Sequence, residues 1–109
     1  MDVLVDLTVA PPSVSLADPR DLGSFKVLAQ AAQPHPTELS RALDGVGTVA
    51  EDGNAFITVD AVRRLAGDLA ADPDWNAGLD KMLAYAGSKG WMDPSGTAIQ
   101  AHVEWAKPV

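Results

Sequence analysis

The stretch TAIQAHVEW, residues 97 to 105, alternates in character without a break. Ile99, Ala101, Val103 and Trp105 fall on one side, Ala98, Gln100, His102 and Glu104 on the other. Successive side chains of a strand point to opposite faces, so this period of two predicts a strand with one face in a core and the other more polar. Such a strand cannot satisfy its own backbone, which commits the chain to a sheet. The N-terminal run DVLVDLTV repeats the pattern through Val3, Val5, Leu7 and Val9, and SFKVLAQ repeats it through Phe25, Val27 and Ala29, where a short helix running toward Pro34 is the competing reading.

Between these runs the period changes. In HPTELSRALDGVG, Leu39, Ala42, Leu43 and Val46 recur at helical spacing, with Pro36 suited to a first turn and Gly45 or Gly47 to the stop. EDGN, flanked by short β-prone runs, is a hairpin signal, because Asp-Gly readily takes the left-handed turn that joins two twisted strands. Thr58 then caps a helix with the stripe Val59, Val62, Leu65, Ala66 and Leu69. A longer helix follows from Pro73 to about Lys89, capped by Asp72, stopped by Gly90, and apolar along Trp75, Leu79, Met82, Leu83 and Ala86. APPSVSLADPRDLG, residues 10 to 23, holds three prolines and reads as an extended connector. Trp105 is expected to extend the apolar sheet face and Trp91 to cover the end of the core.

A length of 109 residues, 47% of them hydrophobic and 21% charged, is ordinary for one folded domain. No apolar run approaches the roughly 18 residues of a membrane span, and MDVLVDLTVAPP carries aspartates where a secretory signal has basic residues. A cytoplasmic protein is expected, and the lack of cysteine fits a reducing compartment. The net charge of -7, with basic residues scattered except for Arg63 and Arg64, argues against nucleic acid or an anionic membrane as partner.

Chemistry-bearing patterns are few. His102 and Glu104 point the same way from one strand, their Cβ atoms about 6 to 7 Å apart, close enough to form an acid–base pair or part of a metal site. A metal needs a third ligand, and the other histidine, His35, lies between prolines in a loop. No catalytic residue is assigned beyond the weak pair His102 and Glu104, and no metal or cofactor is expected. Glycine-rich nucleotide loops, the HEXXH zinc motif and the GXSXG elbow are not found.

Residues 58 to 105 follow the order of a winged helix: helix, turn, longer helix, then WM-DPSG-TAIQAHV as a wing. The would-be recognition helix carries Asp74, Asp80, Lys81 and Lys89 and the wing no basic residue, a poor surface for DNA. GNAFITVDAVRRLAG and the segment DPDWNAGLDKMLAYAGSKGWMDPSGTAIQAHVEW resemble a group of short uncharacterised actinobacterial proteins over residues 45 to 105. That resemblance implies an intracellular actinobacterial origin and carries no activity.

These readings converge on a single α+β domain over residues 1 to 109. A mainly antiparallel sheet of about five strands (2–9, 24–30, 48–51, 54–58 and 97–105) is covered by three helices. The expected function is a non-enzymatic interaction module that binds itself or another protein. The rival is a small-molecule-binding domain or enzyme with a pocket between sheet and helices, His102 and Glu104 being its polar groups. A deep pocket bordered by His102, Glu104 and Tyr85 favours the rival, a flat apolar patch the interface.

Overall fold

Val3 and Val5 alternate with Asp2, Leu4 and Asp6, and that alternation becomes strand β1 (Asp2–Asp6) in a computed structural model that describes residues 1 to 107. The strand ends earlier than the sequence pattern, because the Asp6 carboxylate accepts hydrogen bonds from the backbone and hydroxyl of Thr8 and turns the chain, which leaves Val9 46% exposed. The expected connector holds a strand of its own. β2 (Ser13–Ala17) pairs antiparallel with β1, setting Val14 opposite Val5 and Leu16 opposite Val3. β3 (Lys26–Gln30) then lies on the other side of β1, parallel to it.

Helix α1 (Pro36–Ala42) buries Leu39 and, just past its end, Leu43, and Gly45 with φ +76° turns the chain away. β4 (Gly47–Val49) and β5 (Ala55–Thr58) form the hairpin around Gly53, whose φ of +89° suits glycine. The Thr58 hydroxyl accepts from the Ala61 amide and starts α2 (Val59–Ala66); a 3-10 turn (Gly67–Ala71) follows, and Asp72 caps α3 (Pro73–Ser88) through the Asp74 amide. Trp75, Leu79 and Ala86 of α3 are buried, with Met82 and Leu83 half-buried. β6 (Ala98–Ala106) pairs parallel with β3 and antiparallel with β5.

The class is α+β, as expected, with a sheet of six strands rather than about five, in the order β2-β1-β3-β6-β5-β4; it is mixed, three of its five pairs being antiparallel and the central pairs β1-β3 and β3-β6 parallel. The extra strand is β2, which occupies one side of β1 and leaves β3 to pair on the other. α2 packs on β2 and on β5, which lie far apart in that order, so the sheet curls around its helices. The radius of gyration of 13.4 Å is what one domain of this length requires. No helix among the described residues is long and apolar enough to cross a membrane.

β6 lies inside the sheet, which parts it from a winged helix, although Met92 does bridge Ile99 in the short ladder expected of a wing. The core joins one face of the sheet (Val3, Val5, Val27, Ala29, Ile57, Ile99, Ala101, Val103) to Leu39, Leu43, Val62, Trp75, Leu79 and Ala86 of the helical layer.

Candidate functional site

The helices cover one face of the sheet only. On the other face the register aligns Asp2, Lys26 and His102 in one row across β1, β3 and β6, and Leu4, Leu28 and Glu104 in the next. Leu4, Leu28 and, on β5, Phe56 are half-buried there and take no part in the core. His102 and Glu104 thus share the uncovered face, as the alternation of β6 predicts, and both are exposed.

Glu104 has a partner on the neighbouring strand. Lys26 Nζ donates to Glu104 Oε2 at 2.6 Å, a contact between residues 78 positions apart that only the parallel β3–β6 register creates. That hydrogen bond, helped by the lysine's charge, lowers the Glu104 pKa below the ordinary glutamate value and raises that of Lys26. Glu104 is therefore held as a carboxylate, the opposite of what a general acid near neutral pH needs. His35 is exposed at the N-cap of α1 and makes no side-chain cap. Among the described residues no group of three or more His, Asp or Glu side chains is arranged to hold a metal.

Beside this face two hollows share Phe25, Trp91 and Gln100 and form one cleft. One, of about 330 Å³, opens on the sheet side with Asn54 and His102; the other, of about 310 Å³, runs between the Leu22–Phe25 loop and α3 at Lys81, Met82, Tyr85 and Ala86. It exists because β3 begins only at Lys26, so on the side away from β5 the first half of β6 has the 91–92 segment beside it instead of a strand. Gly90, at φ +76°, ends α3, and the backbone of Trp91 is then fixed from both sides: its amide donates to Ala86 O at 2.9 Å and its carbonyl accepts from Gln100 at 2.6 Å.

Trp91 is 44% exposed and Tyr85 57%, so Trp91 lines the cleft rather than covering the core. The two rings meet edge to face with centroids 5.7 Å apart, and Lys89 Nζ lies 5.6 Å from the centre of the Tyr85 ring. Trp105, in contrast, is half-buried against the core as expected. His102 and Tyr85 border the cleft but Glu104 does not. Sequence reasoning missed Phe25, Lys81 and Trp91 as cleft residues; the one local signal was an aromatic residue directly after a helix-stopping glycine.

The chain matches no protein-family model, no curated protein and no solved structure. The reading of this region therefore rests on its geometry.

Proposed function

We propose that the protein is a non-enzymatic interaction module that self-associates through the uncovered sheet face. The observation that carries this reading is the parallel block β1-β3-β6 with helices on one side only. Sheets that are parallel throughout are found almost always covered on both faces, and here a parallel block at the centre of a mixed sheet has Leu4 and Leu28 in the middle of its bare face. A second copy suits it, because the centre carries both signs of charge, Lys26 and Glu104, and in a two-fold arrangement each can meet its opposite. The outlying Asp6 is already engaged by Thr8. Commitment of Glu104 to Lys26 argues against the enzymatic alternative, since it leaves His102 without a free carboxylate beside it.

Sedimentation equilibrium tests the reading. The wild type is expected to be dimeric at about 100 μM, and Leu28→Glu, which sets a charge in the contact, to be monomeric with an unchanged far-UV spectrum. A monomeric wild type, or a dimer indifferent to Leu28→Glu and Leu4→Glu, overturns it.

A further inference from the structure

We infer that the cleft between the Leu22–Phe25 loop, α3 and Trp91 binds a small organic monoanion, a carboxylate carried on a flat apolar body. A cavity of about 310 Å³ is at the small end of ligand sites and admits one or two fused rings. Its walls suit such a body: Leu22, Phe25, Met82, Tyr85 and Trp91 supply apolar and aromatic surface, the backbone of Trp91 is fixed from both sides, and its ring rests edge to face on Tyr85.

The charge around the cleft selects the anion. The chain has 15 acidic residues against 8 basic, yet no aspartate or glutamate lines either hollow, and Lys81 lines one. Lys81, Tyr85 and Lys89 succeed one another at four-residue spacing, so they rise along one side of α3, and Lys89 lies over the Tyr85 ring that borders the cleft. The nearby acids each have partners of their own, those of Asp21 on the cleft wall itself. Asp21 accepts from the Gly23 amide and the Ser24 hydroxyl, Asp80 is 3.6 Å from Arg63, and Asp93 accepts from Ser95 and from the amides of Thr97 and Ala98. Lys26, beside Phe25, is occupied by Glu104. Gln100, which lines the same hollow as Lys81, and His102, in the adjoining one, offer hydrogen bonds to a ligand edge. An acidic protein thus carries an aromatic cleft lined by a lysine and by no carboxylate, a site that would favour an anion over a cation.

The loop that forms one wall is built to stay close to the helix. A Cβ at Gly78 would stand 2.5 Å from Leu22 Cδ1, so the glycine is what lets Leu22 lie directly on α3. Met1 adds a second tie, its nitrogen donating to the carbonyls of Asp21 and Ser24 at 2.6 and 2.9 Å.

The test uses 2-naphthoate and its neutral counterpart 2-naphthamide, titrated into the isotopically labelled chain and followed by amide and indole chemical shifts. Naphthoate is expected to shift Gly23, Ser24, Tyr85, Gln100 and the Trp91 indole saturably, and to bind about five-fold tighter than the amide at low salt, as one partly exposed ion pair allows. Lys81→Gln should erase the preference for the carboxylate and Lys81→Arg keep it, while Trp91→Ala weakens both probes. Each of these side chains is exposed, so unchanged thermal melting is expected to accompany the losses. Equal affinity for the two probes, no saturation up to the solubility limit, or shifts gathered on Leu4 and Leu28 instead would overturn the assignment. The cleft shares Gln100 and His102 with the uncovered sheet face, but the Lys81 and Trp91 variants probe the cleft and the Leu4 and Leu28 variants the face, so failure of one reading is distinguishable from failure of the other.

Discussion

Trp75 tests the packing of the fold more sharply than any other side chain. It is 4% exposed, packs within the core from the first turn of α3, and donates from Nε1 to the Pro19 carbonyl at 2.8 Å, so it joins the helix to the segment between β2 and β3. Burying about 200 Å² of a large aromatic at about 25 cal/mol per Å² gives about 5 kcal/mol, and a denatured chain that already hides part of that surface lowers it to about 3 to 4. The lost hydrogen bond adds about 1 kcal/mol. Trp75→Ala should therefore cost about 3 to 5 kcal/mol, the range seen for aromatic deletions from cores. Trp75→Phe, which keeps most of the packing but leaves the Pro19 carbonyl without its donor, should cost about 1 to 2 kcal/mol.

Urea unfolding followed by circular dichroism at about 222 nm avoids a signal that depends on tryptophan. With a slope of about 2 kcal/mol per molar urea, the alanine variant loses about 2 M in midpoint. Trp75→Phe should also speed hydrogen exchange at Gly23 and Ser24, since it loosens the segment on which the cleft wall hangs. A loss below about 1 kcal/mol in Trp75→Ala would refute the assignment of this indole as the anchor of the helical layer.

Three further expectations address the sheet. Val103→Ala, at 7% exposure, should cost about 1 to 3 kcal/mol and His102→Ala less than about 0.5, with added zinc leaving the melting temperature unchanged; the reverse order in urea titrations would mean that β6 is a residue out of register. Gly47→Ala should cost about 1 to 3 kcal/mol, because the new Cβ would lie 2.1 Å from the Phe56 carbonyl and force the β4–β5 pair apart; a neutral melting temperature contradicts that contact. The pKa values of Glu104 and Asp93 are lowered from 4.5 and 3.8, the first chiefly by the Lys26 hydrogen bond and the second chiefly by that of Ser95, so their stabilisation is present above those values and lost as the pH falls through the lowered ones. Stability measured from about pH 6 down to about pH 2 should fall, and Asp93→Asn or Glu104→Gln should flatten the fall; an unchanged slope in both variants speaks against these contacts.

What could be read in the sequence was local. The Thr58 and Asp72 caps, the Gly53 turn and the Gly90 stop each depend on residues within a few positions, and each is found where the sequence puts it. β2 leaves little local signal, because SVSLA offers only Val14 and Leu16 as alternating apolar residues, between two prolines and Asp18-Pro19, and its strand character comes from pairing with β1. Parallel pairing leaves no local mark at all. The same short apolar alternation serves a strand whichever way its neighbour runs, so the direction of β3 and β6 had to come from the whole topology.

The candidate pair shows where such reading stops. Alternation alone places His102 and Glu104 on one face, and on an isolated strand they would be each other's nearest polar partner. The parallel register brings Lys26 beside His102 and within reach of Glu104, and a 2.6 Å contact with a lysine outweighs the weaker influence of the histidine on the carboxylate. A residue 78 positions away thus decides the chemistry of the pair. Trp91 errs in the other direction: a tryptophan after a helix stop reads as a lid on the core, yet β3 starts too late in the chain to flank the first half of β6, and the gap it leaves exposes the indole instead of burying it. Strand offset, which no periodicity encodes, is therefore what turns the end of a core into a cleft.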